Sequence, residues 1–301
     1  MRVKVIINSR SGRGRGREQT DLISSLSRRY SQLEVFPTER PRHATELAAT
    51  AADEGYDLVV AAGGDGTVHE VVNGLMRGDQ AALPLGIIPI GSGNDLAFGL
   101  GIPEEVEEAV ERIFKGTPQP LDLARVTNEY GKTEVFDNNF GIGFDAIVVM
   151  RTETITRLHG FPMYMAAVLQ TILFYYNIPY LEATFDGQPV NQRSLFLYMG
   201  LGQRGGGGFL LTPDARWDDG LIDTMLVNPI GRLTMLGMLT SAMKGTHVTS
   251  PHVTFRQCRE ITVKSSAPMP IQVDGEIFAY PRDDVHQVTI TSLPAALRVI
   301  V

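Results

Sequence analysis

An apolar run, Leu58-Val59-Val60-Ala61-Ala62, passes without a break into Gly63-Gly64-Asp65-Gly66-Thr67 and then into a helical pattern from Val68. A strand that ends in glycines and turns straight into a helix lets backbone amides approach a phosphate with no side chain in the way. The helix N-terminus adds partial positive charge. A carboxylate in that loop would repel a phosphate unless a divalent cation lay between them, so Asp65 points to Mg²⁺ and the loop to a nucleotide. The competing reading, a tight turn built on Asp-Gly chemistry, explains the glycines but not the strand-loop-helix setting.

The surrounding chain supports an α/β unit. Short β-branched runs at Val3 to Asn8, Leu33 to Phe36, Asp57 to Ala61 and Leu85 to Ile88 alternate with segments of three- and four-residue apolar spacing at Glu18 to Arg29, His43 to Glu54 and Val68 to Met76. This alternation predicts a parallel sheet covered by helices, with right-handed crossovers. The loops after Asn8, Ala62 and Pro89 then open at the carboxyl ends of the strands, where such sheets bind ligands. One of them is Gly91-Ser92-Gly93-Asn94-Asp95, whose polar groups suit either a phosphate or a helix cap. Another, Asn8-Ser9-Arg10-Ser11-Gly12, continues into Arg13, Gly14, Arg15, Gly16 and Arg17 and suits an anion, although it lacks the dinucleotide fingerprint spacing.

After Leu121 the pattern changes to closely spaced strand signals: Val135 to Phe140, Leu181 to Phe185, Ser194 to Leu201, Ile222 to Val227, Ile261 to Val263 and Val285 to Ile290. A mainly antiparallel β domain is expected, interrupted by helices at Met163 to Tyr176 and Leu233 to Lys244. Gly131-Lys132-Thr133 imitates the end of a phosphate-binding loop, but Val126 stands where that motif needs its first glycine. It reads as a hairpin turn. Pro213 to Leu221 and Ile271-Gln272-Val273-Asp274-Gly275-Glu276 each contain an Asp-Gly pair, which by itself signals a turn.

A length of 301 residues suits two domains. A net charge of −7 leaves no basic footprint for nucleic acid, which is not expected as a partner. The single cysteine, Cys258, permits no intrachain disulfide. No apolar run reaches the roughly 18 residues that a membrane span needs, and a cytoplasmic protein is expected. Met163 to Tyr176 is rich in methionine and aromatics but has almost no charge, which favours a buried core helix over an interfacial one. Phe209, Leu210, Leu211 and Trp217 are a second candidate membrane contact.

Taken together and in order, these segments resemble the bacterial soluble diacylglycerol kinase family, which is related to sphingosine kinases and more distantly to NAD kinase and 6-phosphofructokinase. The elements that carry the resemblance are Asn8 to Gly12, Thr38, Gly63 to Thr67, Gly91 to Asp95, Gly141-Ile142-Gly143-Phe144-Asp145, the run Gly205 to Gly208, Asp219-Gly220 and Asp274-Gly275-Glu276. The resemblance implies an α/β nucleotide-binding domain over 1–121, completed by 292–301, a β-sandwich domain over 122–291, and an active site in the cleft between them. It implies that ATP is held by Asn8, Ser9, Arg10, Ser11, Gly12, Thr38, Gly64, Asp65, Gly66, Thr67, Val68, His69, Glu70 and Ser92. It further implies that Asp65 holds a catalytic Mg²⁺ with help from Asp95, that Glu276 is the general base, and that Asp219 binds a structural Mg²⁺ with the backbone carbonyls of Arg216 and Leu221. Two departures from the family pattern are Ser9 for its frequent proline and Ser92 for its threonine; the latter keeps the hydroxyl.

The implied reaction transfers the γ-phosphoryl group of ATP to the hydroxyl of diacylglycerol or a similar lipid at a membrane surface. A homodimer is left open. The alternatives are a kinase of another lipid alcohol such as phosphatidylglycerol or a sphingoid base, an NAD kinase, and a nucleotide-binding regulator without catalysis. Asp65, Asp219 and Glu276 together argue against the last.

Overall fold

The computed structural model describes residues 1–9, 16–29, 32–77 and 81–301, which divide into two units, Met1–Leu123 with Pro294–Val301 and Ala124–Leu293. The first unit runs β1 (Val3–Ile7), α1 (Gly16–Arg29), β2 (Leu33–Pro37), α2 (His43–Ala49), β3 (Leu58–Gly63), α3 (Asp65–Leu75), β4 (Leu85–Pro89), α4 (Asp95–Gly99) and α5 (Val106–Lys115). Strands β2, β1, β3 and β4 lie side by side and parallel, with Val3 opposite both Leu33 and Leu58 and with Val59 opposite Leu85. Every residue of β1 and β3 is buried, as strands covered by helices on both faces must be. Lys4 is the polar exception: its ammonium meets Glu54 at 2.6 Å and lies over the rings of Phe36 and Tyr56.

Helix α3 begins at Asp65, three residues before the apolar spacing starts, so the loop aspartate sits in a helical first turn. Helix α2 ends at Ala49 rather than Glu54. Helix α5 buries Val106, Ala109, Val110 and Ile113, a helical spacing visible in the sequence and not used above.

The chain continues through β5 (Pro118–Asn128), β6 (Thr133–Phe136), β7 (Asn139–Gly143), α6 (Phe144–Thr152), α7 (Gly160–Phe174), β8 (Tyr180–Phe185), β9 (Gln188–Arg193), β10 (Phe196–Gly200), β11 (Ile222–Val227), α8 (Arg232–Met243), β12 (Val253–Cys258), β13 (Glu260–Ser265), β14 (Ile271–Val273), β15 (Glu276–Ala279) and β16 (Gln287–Ile300). In the second unit β12-β11-β10-β7-β14-β15 form one antiparallel sheet. The first half of β16 with β13, β8 and β9 forms another antiparallel set. The end of β16 belongs to the first unit, where Val299 pairs parallel with Leu85.

Strands β10 and β11 bury side chains on both faces because they serve two cores. Leu197, Met199 and Leu226 pack between the sheets, while Tyr198, Met225 and Val227 pack against α6, α7 and α8. The Gly131 turn joins β5 to β6 with Gly131 at φ 80°, the hairpin expected in place of a phosphate loop.

Three expectations differ from the structure. Val135 to Phe140 is not one strand, because residues 137 and 138 leave the ladder between β6 and β7. Met163 to Tyr176 is not a core helix: one side of α7 is buried, while Leu169, Leu173 and Phe174 are exposed on the other. Phe209, offered as a surface contact, is buried against Phe161 and Tyr164 with ring centroids 5.8 Å apart.

Candidate active site

In the first unit the loops after β3 and β4 touch backbone to backbone. A Cβ on Gly91 would lie 2.3 Å from the Cα of Gly64, so neither position has room for a side chain. Asp65 joins the loops: one carboxylate oxygen accepts the amide of Asn94 at 2.8 Å and the other that of Asp95 at 2.7 Å. Asn94 is left-handed at φ 54° and its side-chain oxygen accepts the amide of Gly91 at 3.0 Å, which closes the loop on itself. Burial and the negative charge of Asp95 push the Asp65 carboxyl up to about 6, against the pull of the amides it accepts.

Gly93 shows what the arrangement leaves open. A Cβ there would sit 2.6 Å from an Asp65 carboxylate oxygen and 3.8 Å from one of Asp95. The Asp65 carboxylate thus borders a position that only glycine keeps clear, and an Asp95 oxygen lies at ordinary contact distance from the same position. Two acidic oxygens around such a cradle form the donor set a hard divalent cation prefers, and Mg²⁺ fits it.

The other residues expected around a nucleotide fall into groups. Asn8 donates to the Thr67 hydroxyl at 3.4 Å, and the amide of Asn8 continues the ladder to Ala62. The amides of Thr67 and Val68 bond to the carbonyl of Gly64, and Thr67, Val68 and His69 are buried. The Thr38 amide bonds to Ile7, while Ser9 and Gly66 are half-buried and Ser92 is exposed. Glu70 has a different employment: its carboxylate accepts the amides of Arg42 and Ala44 at 2.9 and 3.1 Å and caps α2, whose own N-cap residue supplies no side-chain bond. Arg10, Ser11, Gly12 and Arg13 lie outside the described residues.

In the second unit Asp274 and Gly275 form a two-residue hairpin between β14 and β15, both left-handed, with Val273 opposite Glu276. The Asp274 side chain is not turn decoration. It is buried and accepts the amides of Asp137, Asn138 and Asn139 at 3.0, 3.0 and 2.8 Å, which holds residues 137 and 138 out of the ladder before β7 begins at Asn139. Glu276 follows at the exposed start of β15.

Gln272 braces this turn from below. Its carbonyl accepts the amide of Gly275 at 2.8 Å, and its amino group donates to Asn139 at 2.8 Å and to Asp145 at 2.6 Å. Tyr164 donates to the other Asp145 oxygen at 3.1 Å. Burial raises the Asp145 carboxyl above its ordinary range, and these two donors oppose the rise. A Cβ on Gly141 would strike Asp145 at 2.1 Å, and Gly143 sits at φ 87°, which accounts for both glycines of the Gly-Ile-Gly-Phe-Asp motif. Asp145 also lines an apolar cavity of about 90 Å³ walled by Phe144, Val148, Val168, Ile172 and Met235. The glycine run beside it lies flat on α7: a Cβ on Gly206 would meet the Tyr164 ring at 2.5 Å, and one on Gly208 would meet Phe161 at 2.7 Å. The sequence marks this network locally only by Asp145 at the end of the Gly-Ile-Gly-Phe-Asp motif and by Gln272, the single polar residue inside Ile271-Gln272-Val273, and gives none of Gln272, Asp145 or Tyr164 a role.

At the loop before β11, Asp219 accepts the amide of Leu221 at 3.0 Å, and the Arg216 guanidinium pairs with Asp218 at 3.1 Å. Asp223, absent from the expected set, belongs beside them. Its carboxyl is pushed up to about 6 by burial, with Asp219 and Asp214 adding and Gln257 opposing.

The fold and these loops define a two-unit kinase. Residues 2–126 match the model for a diacylglycerol kinase catalytic domain, and residues 139–301 match that for a YegS C-terminal NAD kinase beta sandwich-like domain. The chain belongs to the diacylglycerol kinase family of lipid kinases. It is 29% identical over 286 residues to a diacylglycerol kinase of Bacillus subtilis, covering 91% of this chain and 89% of that one. With a Staphylococcus aureus diacylglycerol kinase it shares 28% identity over 285 residues, 91% of this chain and 86% of the other. A solved diacylglycerol kinase structure from Bacillus anthracis superposes with a TM-score of 0.77 at 24% identity, over 99% and 96% of the two chains. A yeast NADH kinase complexed with NADH superposes with a TM-score of 0.56 at 12% identity, over 100% and 83%. These two structural likenesses speak to the fold alone.

Proposed function

We propose that the chain transfers the γ-phosphoryl group of ATP to the free hydroxyl of diacylglycerol or a closely similar lipid, giving phosphatidic acid or its analogue, while peripherally associated with a membrane. The observation that carries this reading is the buried hydrogen-bond chain from the wall of the apolar cavity, through Asp145 and Gln272, to the turn that presents Glu276. A cavity with aliphatic and aromatic walls and one carboxylate suits a molecule with an acyl chain and a hydroxyl head, and suits NAD poorly.

In this reading the glycine loops of Gly63 to Thr67 and Gly91 to Asp95 leave side-chain-free room for the ATP phosphates, with Asn8, Ser9 and Thr38 alongside. Asp65 and Asp95 hold Mg²⁺, whose chemistry here is to neutralise charge on the transferred group. Asp145 and Tyr164 orient the acceptor's polar end. Glu276 accepts the hydroxyl proton, since an alcohol near neutral pH is otherwise a poor nucleophile. Asp219, with the carbonyls of Arg216 and Leu221, holds a second, structural Mg²⁺. Asp219→Ala is then expected to lower the melting temperature and to reduce the upward shift that added Mg²⁺ gives the wild type. Unchanged melting in both conditions would remove the second ion from the account.

The acceptor assignment is tested by chain length. If the cavity takes an acyl chain, KM for monomeric diacylglycerols should fall about fourfold for each added methylene that is buried, since each contributes about 0.8 kcal/mol. A KM indifferent to chain length between two and eight carbons would assign the cavity no part in substrate binding.

A further inference from the structure

We infer that the outward faces of α7 and α8 form the surface by which the protein rests on a bilayer containing anionic lipid; the inference builds on the lipid-kinase reading above. Both helices are apolar on two sides. In α8, Met235, Met238 and Leu239 line the cavity, while Leu233, Leu236 and Met243 face outward, with Leu233 85% exposed. In α7, Val168 and Ile172 line the cavity, while Leu169, Leu173 and Phe174 face outward, with Phe174 73% exposed. A helix at a protein surface ordinarily keeps one polar face toward water, and these two do not. They are also tied together: the Arg232 guanidinium donates to the carbonyl of Ile172 at 2.9 Å, and the Tyr176 hydroxyl donates to that of Ile230 at 2.9 Å. The end of α7 and the start of α8 therefore present Leu173, Phe174 and Leu233 as one patch.

Charge selects the occupant. The chain has 34 acidic residues, yet none falls in 154–181 or 224–259, which contain all of α7 and α8. At or beside the two helices those segments carry Arg157, Arg232 and Lys244. A second copy meeting this face symmetrically would bring like charges together, whereas anionic headgroups would be drawn to it. Among the described residues no helix is long and apolar enough to cross a membrane, so the helices lie on the bilayer rather than through it. The same helices wall the cavity, so a docked protein holds its acyl site within about one helix diameter, roughly 10 Å, of the lipid.

The test is flotation of the full chain with vesicles of phosphatidylglycerol or of phosphatidylcholine, without nucleotide or diacylglycerol. Wild type is expected to float with phosphatidylglycerol vesicles and less with phosphatidylcholine. The triple variant Leu173→Gln, Phe174→Gln, Leu233→Gln should bind at least about tenfold more weakly, with unchanged circular dichroism. Leu233→Gln alone, at the most exposed site, should weaken binding about threefold and guards against a misfolded triple variant. Wild type that ignores phosphatidylglycerol vesicles, variants that float as wild type does, or a lipid-free dimer dissociated by the triple variant would each overturn the inference. Because binding is read without turnover, a failed acceptor assignment and a failed docking surface give different results.

Discussion

Changing Glu276 to Gln is expected to lower turnover by about 10²–10⁴-fold while leaving ATP affinity unchanged. The substitution keeps the size of the side chain and removes the basic oxygen that would take the acceptor's proton. The structure makes it a clean experiment. Glu276 is exposed at the first position of β15, and the turn before it is held by other groups: three amides on Asp274 and the Gln272 bond to Gly275. The Gln variant should therefore fold with the turn intact. Turnover within about threefold of wild type would sink the base assignment. Lost ATP affinity with normal chemistry would move Glu276 to the nucleotide or metal site instead.

Asp65→Asn is expected to cost about 10²–10³-fold or more in Mg²⁺-dependent turnover, the scale for removing a main electrostatic support of the transition state. Its effect on stability should be small, because two changes oppose each other. Asn can accept only one of the two amides that Asp65 now accepts, a loss of about 1 kcal/mol. It also removes a carboxylate whose ionised form the site disfavours, as its rise to about 6 shows. That rise carries a further consequence for the wild type: the form that binds a cation dominates above about pH 6, so apparent Mg²⁺ affinity should fall as pH drops through that value. Near-normal turnover of the Asn variant at saturating Mg²⁺, or Mg²⁺ affinity flat between pH 5 and 7, would take the metal away from Asp65.

Local pattern carried the framework well where structure is locally determined. The strand Ile222–Val227 and the alternation of strand and helix up to Pro89 follow from side-chain periodicity. The reading failed where partners are distant in sequence. Nothing near residues 137–139 announces that their amides turn toward Asp274, so an unbroken strand was the natural expectation for Val135 to Phe140. Strand β16 runs on past Ile290 through Pro294 and Ala295, the latter at φ 50°, residues that ordinarily punctuate a strand. The α3 start was placed late because Gly66 carries no apolar signal, although Asp65 is a common residue for a first turn.

The candidate site divides in the same way. Glycines that permit contact, at Gly64, Gly91 and Gly93, were visible as motifs, but what each one clears space for is a tertiary fact. The resemblance groups Glu70 with the phosphate loop, and its carboxylate caps α2, a contact with a segment more than twenty residues away that local pattern does not announce. The Asp145, Tyr164 and Gln272 network joins three separate segments around a cavity, and periodicity reports only that each segment is mostly buried. The apolar stretch Met163 to Tyr176 reads as a core helix, since composition does not distinguish a cavity wall from a patch facing water.

The identity of the phosphorylated alcohol separates the proposed reaction from every alternative. Purified protein incubated with γ-labelled ATP and Mg²⁺, and offered diacylglycerol in mixed micelles, phosphatidylglycerol, a sphingoid base and NAD in parallel, should place label on the diacylglycerol hydroxyl. That label should disappear with the Asp65→Asn and Glu276→Gln proteins. Label on NAD with none on any lipid would contradict the reading of the cavity and of the proposed acceptor.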